Sequence, residues 1–300
     1  NAQSSAESIY TFKVINSIFE ENQVNNRGGA ICILISNNEP YHTIEIAQCS
    51  FKNNQGCMSE AQDGNSIESG DGGDVCYILD HISNSQSSNK YSYLYIHDCT
   101  SSCSNGYTKG GSISIDIQSS DSSRSIEIEQ CSFNFDDKYI NDVHYTKNGN
   151  FISYTVDSSN NNPPLNINNC DFSFKCLNDG FDKKTEKGGS IYLSVTNSQQ
   201  AGCIEIKNCN FTSNFLTSAD FVGGSIYYSH ESPSSASSET SNSVLKITDC
   251  KFTESYAKLE GGSIYLLANS GSNKKIEINH CTFDKSGSST DTDSIYIKSE

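Results

Sequence analysis

The chain has 300 residues, of which 34% are hydrophobic, and its formal net charge is −16 at pH 7. So acidic a protein is a poor partner for nucleic acid or an anionic membrane, because their phosphates repel it. No apolar run approaches the ~18 residues of a transmembrane helix, so we expect no membrane span. The 13 cysteines, in a chain rich in Ser and Asn, favour a secreted, extracellular or cell-surface protein.

The first element of a repeated motif is a short strand that ends in a fixed slot. The slot holds Ser17 in the first copy and cysteine in seven later copies, at Cys49, Cys99, Cys131, Cys170, Cys209, Cys250 and Cys281. Five and three positions before the slot every copy is apolar, at Phe12, Val14, Ile44, Ile46, Leu94, Ile96, Ile126, Ile128, Leu165, Ile167, Ile204, Ile206, Leu245, Ile247, Ile276 and Ile278. This period of 2 indicates a β-strand with one buried face.

Two further strands complete each copy. A phenylalanine two residues after the slot implies a second short strand, at Phe19, Phe51, Phe133, Phe172, Phe211, Phe252 and Phe283, and Ser101 interrupts this column. A third strand follows a Gly-Gly corner, with inward positions at Ile31, Val75, Ile113, Ile152, Ile191, Ile226, Ile264 and Ile295. Glycine suits such a corner because it tolerates a left-handed backbone.

Three short strands per copy with aligned apolar columns predict an all-β parallel solenoid of about eight coils. Residues 1–300 then form a single domain, or a window of a longer array. Successive coils lie about 4.8 Å apart in such a fold, so that like side chains stack. A helical bundle would need a period of 3.6, and a β-propeller would leave the columns of identical residues unexplained.

The segment "FEENQVNNRGGAI", from Phe19 to Ile31, resembles the repeat of polymorphic outer-membrane-protein adhesins, which carry FxxN and GGA[ILV] motifs. FxxN recurs at Phe51–Asn54 and Phe211–Asn214. The Gly-Gly element recurs at Gly28, Gly72, Gly110, Gly188, Gly223 and Gly261. The resemblance implies a right-handed parallel β-helix of the pectin-lyase-like type, displayed on a cell surface.

The cysteines predict a packed column and two disulfides. The seven slot cysteines share the inward parity of the Phe column, so we expect a buried ladder of thiols. Cys32 and Cys76 occupy one outward column on successive coils, and Cys57 and Cys103 lie in successive loops. The pairs Cys32–Cys76 and Cys57–Cys103 are therefore candidate disulfides.

Four tyrosines follow the inward Ile on successive coils and should form an outward stack: Tyr192, Tyr227, Tyr265 and Tyr296. The stack either stiffens the sheet or offers a flat aromatic strip to sugar rings or to a neighbouring molecule. The sequence leaves both interpretations open.

Acidic loops carry the only sign of enzymatic chemistry. Asp136, Asp137 and Asp142 follow one Phe strand, Asp179 and Asp182 follow the next, and adjacent coils would bring these loops together. Paired carboxylates suit glycosidic cleavage, and they also bind calcium; the sequence indicates no other cofactor. "GDGGD", from Gly70 to Asp74, is similar to a calcium-binding repeat but occurs once. Solvated acidic loops are the simpler interpretation.

The function predicted from these patterns is structural. Neither end of the array carries an obvious cap, and the two ends match in strand phase, which favours head-to-tail assembly of copies into a filament. The sequon at Asn210 predicts an outward glycan. A carbohydrate-binding adhesin that uses the tyrosine stack is the alternative, and a polysaccharide lyase or hydrolase is the third hypothesis.

Overall fold

A computed structural model describes residues 10–24, 27–36, 42–56, 71–80, 92–106, 109–118, 124–136, 148–157, 163–175, 187–196, 202–212, 222–231, 243–268, 274–288 and 293–299. These ranges contain 29 β-strands. The first fifteen are β1 (Tyr10–Ile15), β2 (Ile18–Glu20), β3 (Gln23–Val24), β4 (Ile31–Ser36), β5 (His42–Ala47), β6 (Ser50–Lys52), β7 (Gln55–Gly56), β8 (Val75–Asp80), β9 (Ser92–His97), β10 (Thr100–Ser102), β11 (Asn105–Gly106), β12 (Ile113–Ile117), β13 (Arg124–Glu129), β14 (Ser132–Asp136) and β15 (Ile152–Asp157).

The remaining strands continue the same succession. They are β16 (Leu165–Asn168), β17 (Asp171–Lys175), β18 (Ile191–Thr196), β19 (Ile204–Lys207), β20 (Asn210–Thr212), β21 (Ile226–Glu231), β22 (Ser243–Thr248), β23 (Lys251–Thr253), β24 (Tyr256–Ala257), β25 (Ile264–Ala268), β26 (Lys274–Asn279), β27 (Thr282–Asp284), β28 (Gly287–Ser288) and β29 (Ile295–Ser299). None of the described residues forms a helix long and apolar enough to cross a membrane.

Three parallel sheets of eight strands each form the wall of the molecule. The first has the order β1-β5-β9-β13-β16-β19-β22-β26, the second β2-β6-β10-β14-β17-β20-β23-β27, and the third β4-β8-β12-β15-β18-β21-β25-β29. Each sheet takes one strand from every coil, in chain order. The predicted all-β parallel β-helix of about eight coils is therefore confirmed.

The register places equivalent residues on top of one another. Ile113 pairs with Ile152 and Ile152 with Ile191, as the repeat predicts. The phenylalanine rings stack nearly parallel to one another along the second sheet. Phe172 and Phe211 have centroids 4.9 Å apart at an interplanar angle of 6°. Offset stacking of aromatic rings adds about 0.5–1.5 kcal/mol per pair beyond the burial of their area.

Left-handed residues form the corners between the sheets. The first glycine of each Gly-Gly corner has φ between 55° and 70°, which agrees with the prediction. A second corner, just before the repeat slot, has φ between 51° and 55° in every coil although no glycine stands there: Asn16, Gln48, Asp98, Gln130, Asn169, Asn208, Asp249 and His280. Five of these eight are Asn or Asp, the types that favour this backbone region, and the other three are Gln48, Gln130 and His280. The sequence pattern did not predict this corner.

A fourth, two-residue strand occurs in some coils, which the prediction of three strands per coil lacked. β3, β7 and β11 form one such sheet, and β24 pairs with β28. The asparagines of the FxxN motif hold this corner together. The Asn54 Oδ1 atom accepts hydrogen bonds from the Asn22 backbone N at 3.0 Å and from Asn22 Nδ2 at 2.9 Å.

We predict that Gly188→Ala lowers the free energy of unfolding by about 2–3 kcal/mol. Gly188 has φ of +66°, and a Cβ atom there would lie 2.3 Å from the Ile191 carbonyl oxygen. The left-handed backbone alone costs roughly 1–2 kcal/mol for a residue with a side chain. Urea denaturation measures the change.

Gly56→Ala is the matched control for this variant. The nearest atom to a Cβ at Gly56 is the Asp71 carbonyl oxygen at 3.3 Å, and the backbone is not left-handed there. We expect a loss below about 1 kcal/mol, near the ordinary difference between these residue types. Equal losses for the two variants would contradict the assignment of Gly188 to an obligatory corner.

Candidate functional site

The two ends of the solenoid expose strand edges. β1, β2 and β4 are the first strands of the three large sheets, and β26, β27 and β29 are the last. Among the described residues each of these six strands has a neighbour on only one side. Unpaired backbone N–H and C=O groups along such an edge can pair with a further strand.

Large apolar side chains are exposed at these ends. At the first coil Phe12 is 49% exposed and Ile18 77%, and at the last coil Ile297 is 64% exposed. Phe12 and Ile297 belong to the inward columns, since Phe12 pairs with buried Ile44 and Ile297 with buried Leu266. The interior of the coil is therefore open at both ends of the described structure.

The predicted tyrosine stack is present on the outer face of the third sheet. Successive ring centroids of Tyr192, Tyr227, Tyr265 and Tyr296 lie 5.3, 5.3 and 5.5 Å apart, nearly parallel. The two central rings are covered, because Tyr227 is only 3% exposed and Tyr265 only 6%. These two rings leave little surface for a ligand, and the binding role of the four tyrosines stays a prediction.

A second aromatic group, which the sequence analysis missed, lies on the outer face of β9. Tyr93, Tyr95 and His97 project at alternate positions and are half-buried, and the Tyr95 and His97 rings stack 4.1 Å apart. The Tyr95 hydroxyl donates to Glu129 Oε2 at 2.7 Å, and the Tyr93 hydroxyl donates to Glu127. The alternation of Tyr, Tyr and His along this strand was its only sequence signal.

Electrostatics keep these phenols protonated and the imidazole basic. The hydrogen bond to Glu129, followed by burial, raises the pKa of Tyr95. Burial lowers the pKa of His97, but hydrogen bonds to Asp98 and Glu45 outweigh it and the net shift is upward. We name this group, with its partners Glu127 and Glu129, the β9 face. It combines aromatic rings with carboxylates that accept hydrogen bonds.

The seven slot cysteines line the interior at the corner between the first and second sheets. Six are buried and Cys281 is half-buried. Each Sγ lies 3.2–3.3 Å from the carbonyl oxygen two residues earlier, as for Cys209 and the Lys207 oxygen. Ser17 makes the same contact to the Ile15 oxygen at 3.1 Å. The thiols thus act as weak donors that help satisfy the backbone at the corner.

The two candidate disulfides differ in what the structure describes. Cys32 and Cys76 are register partners and both are thiols. Cys103 directly follows β10 and has a left-handed backbone, with φ of 55°. Cys57 is outside the described residues. The bridges stay predictions.

The acidic residues proposed for catalysis or calcium binding fall largely outside the described ranges. Asp136 ends β14, where its backbone pairs with Lys175, and its side chain is not described. Asp137, Asp142, Asp179 and Asp182 lie outside those ranges. Among the residues that are described, no three His, Cys, Asp or Glu side chains converge into a metal site. Catalysis and calcium binding stay predictions.

The sequon asparagine faces outward. Asn210 begins β20 and is exposed, and its Nδ2 atom donates to Asp171 Oδ1 at 2.8 Å. An attached glycan would require this amide to leave Asp171. Glycosylation at Asn210 stays a prediction.

A buried carboxylate interrupts the apolar core between the second and third coils. Asp74 is 1% exposed and points inward, although "GDGGD" suggested a calcium ligand. Its carboxylate accepts hydrogen bonds from Asn54 Nδ2 at 3.0 Å and from Ser101 Oγ. Ser101 is the residue that breaks the Phe column. A cavity of about 10 Å³ beside them, lined also by Phe51 and Phe133, has room for one water molecule.

Burial controls the ionisation of Asp74. It raises the pKa of this carboxyl to about 7, against the opposing hydrogen bonds from Ser101, Ser104, Asn54 and Ser112. The unfolded chain releases the same proton near pH 4. The folded state therefore holds a proton that the unfolded state has lost between these two pH values.

We predict that the free energy of unfolding decreases as pH rises from about 4 to about 7, and that Asp74→Asn removes part of this decrease. The stabilisation from the raised pKa is complete below the unfolded pKa and is lost as pH rises through the folded pKa. A shift of this size corresponds to a few kcal/mol. Urea denaturation of both proteins across the pH range measures the difference.

Asp249→Asn serves as the control, because Asp249 lies at an exposed corner near His280. This variant should keep the wild-type pH profile. An Asp74→Asn profile that runs parallel to the wild type would contradict the buried ionisation of Asp74.

Comparison with known proteins does not assign this chain to a family. No protein-family model, curated protein or solved structure matches it. The fold itself is an all-β solenoid of parallel stacked strands.

Proposed function

We propose that this chain is an extracellular or cell-surface structural element that assembles head to tail through the ends of its solenoid. The open inward columns at the two ends carry the proposal. A second copy stacked by one coil would place its β1, β2 and β4 against β26, β27 and β29 of the first. Such a contact is heterologous and continues without closing, which yields a filament.

The continued register pairs apolar residues with apolar residues. Phe12 of the second copy would stack on Ile276 of the first, Phe19 on Phe283 and Ile33 on Ile297. The same columns inside one chain pair Phe12 with Ile44 and Phe252 with Phe283. Fully burying a side chain of this size contributes roughly 1.5–3 kcal/mol.

Charge placement on the first sheet supports the same register. Lys13 binds Glu45 at 2.6 Å on its own neighbouring coil, and Lys246 pairs in register with Glu277. A stacked copy would set Lys13 above Glu277, which repeats this alternation. On the second sheet Glu20 would meet Asp284, and the neighbouring Lys285 would offset that like-charged pair.

Salt sets the conditions for assembly. Each copy carries a formal charge of −16, so copies repel one another at low ionic strength. At 0.15 M salt the Debye length is about 8 Å, which screens the distant charges but leaves contacts across the joint intact. Assembly should therefore increase with salt.

We predict that the purified chain forms filaments at high concentration in 0.15 M salt, and that Ile297→Asp raises the concentration needed for their assembly. Ile297 is already exposed, so the folded single molecule should lose little stability, but the joint would bury an unpaired charge. The concentration needed for assembly should rise more than tenfold, the change that 1.4 kcal/mol produces. Negative-stain microscopy and sedimentation measure it.

Asn134→Asp is the matched control, because it adds the same charge at an exposed site in the middle of the solenoid. It should assemble like the wild type. Dispersed single molecules of the wild type at high concentration and high salt would refute the proposal.

A carbohydrate-binding adhesin is the second candidate, and the β9 face favours it. The Tyr93 and Tyr95 rings offer flat apolar faces, while Glu127 and Glu129 offer oxygen acceptors for sugar hydroxyls. Both rings are half-buried, so they remain accessible from solvent. This arrangement suits a neutral or amino-bearing sugar better than an acidic one.

We predict that, if a glycan binds, Tyr95→Ala weakens binding at least tenfold while Tyr227→Ser leaves it unchanged. The reason is that Tyr95 is accessible and Tyr227 is covered. A glycan array followed by titration of the best ligand measures both variants. An unchanged affinity for Tyr95→Ala, or an array without any bound glycan, would contradict a role for the β9 face.

A further inference from the structure

Two cysteines of the third sheet form a pair of unequal exposure. Cys32 on β4 and Cys76 on β8 are register partners on successive coils. Cys32 is exposed, whereas Cys76 is 1% exposed. Because they pair in register on neighbouring parallel strands, their Cα atoms lie about 4.8 Å apart. An exposed thiol thus stands directly over a buried one.

The hydrogen bond with Cys76, more than any nearby charge, favours a thiolate at Cys32. A hydrogen bond from Cys76, with a smaller contribution from Arg27 and against the effect of burial, lowers the pKa of Cys32 to about 6. The hydrogen bond with Cys32, followed by burial, raises the pKa of Cys76, and Asp71 adds to this. On the coil beyond, Ser114 pairs with Cys76 and carries no charge. A thiolate is the reactive form of cysteine.

We propose that Cys32 and Cys76 form a reversible dithiol–disulfide couple that reacts with low-molecular-weight disulfides, with Cys32 attacking and Cys76 resolving. In the first step the Cys32 thiolate attacks one sulfur of the small disulfide, a mixed disulfide forms, and one small thiolate leaves. In the second step Cys76 loses its proton, its sulfur attacks Cys32 Sγ, and the second small thiol leaves with that proton. The couple is oxidised by two electrons and the small disulfide is reduced by two.

The parallel stacking makes this disulfide easy to reduce again. Neighbouring strands lie about 4.8 Å apart, within the 4.4–6.8 Å range of Cα separations in disulfides. Side chains that project in parallel keep their Cβ atoms farther apart than the preferred separation of about 3.8 Å. The resulting strain raises the reduction potential, which is typical of labile disulfides.

The slot cysteines and Cys203 lack this combination of an exposed thiol and a lowered pKa. The slot cysteines are buried apart from half-buried Cys281, and hydrogen bonding with Cys209 together with burial raises the pKa of Cys250 to about 12. Cys203 is half-exposed, but burial raises the pKa of its thiol. Cys203 is therefore the matched control for Cys32.

The test exposes the fully reduced 300-residue chain to oxidised glutathione at pH 6 and maps the products by mass spectrometry after acid quenching. We expect a Cys32–Cys76 disulfide as the main product. Cys76→Ala should retain one glutathione on Cys32, and Cys32→Ser should react on the order of tenfold more slowly, because it lacks the exposed thiol of lowered pKa. Cys203→Ser should behave like the wild type.

Three outcomes would overturn the proposal: glutathione appearing on Cys203 as fast as on Cys32, a disulfide that joins Cys32 to another cysteine such as Cys57, or a Cys76→Ala variant that accumulates no adduct. Should Cys76→Ala fail to fold, the wild type alone decides through the pH profile of iodoacetamide labelling. Half-maximal labelling of Cys32 near pH 6, well below that of Cys203, supports the couple. Coincident profiles contradict it.

Discussion

Parallel pairing of equivalent residues on successive coils is the constraint on which the rest of the molecule depends. It arranges the Ile, Phe and Cys residues of the repeated motif in continuous columns. Each residue packs against the equivalent residues on the coils above and below. Equivalent side chains then repeat at one spacing, and neighbouring rings of the Phe column stack within 8° of parallel. A shift by one residue would turn every inward side chain outward. Burial of the inward apolar side chains therefore holds the strands in this one register.

Departures from the columns occur in compensating groups. The position after each Gly-Gly corner is usually a small buried Ser, as at Ser190 and Ser225, but Asp74 takes it in the second coil. The adjacent Phe column is interrupted beside Asp74, where Ser101 replaces a phenylalanine. The Ser101 hydroxyl donates to the Asp74 carboxylate, and the space of the missing ring stays open. In the fourth coil Phe151 takes the Ser position and packs against Phe133 and Phe172. The core therefore tolerates exchange between neighbouring columns when volume and hydrogen bonding change together.

The inward columns could be predicted from the sequence, but the left-handed corners without glycine and the exposure of the outward side chains could not. Period-2 apolar residues at constant distance from a Cys slot determine the inward faces, so the pairing of Ile113 with Ile152 could be predicted. The left-handed corner at Gln48 and Gln130 could not, because those residue types have no preference for that backbone and the hydrogen bonds of the next coil impose it. Exposure of Tyr227 depends on what packs over it, which no local pattern encodes. The β9 face likewise depends on side chains that meet only across coils.

The hydrogen bonds between coils have a mechanical consequence. In all three large sheets they join one coil to the next, and so they run along the axis of the solenoid. A pulling force applied to the two chain ends would load the bonds of the outermost coil first, since each coil contacts only its neighbours. The molecule should lengthen under tension in steps, one coil peeling away at a time, and each released coil would act as an extensible spacer while the others stay intact.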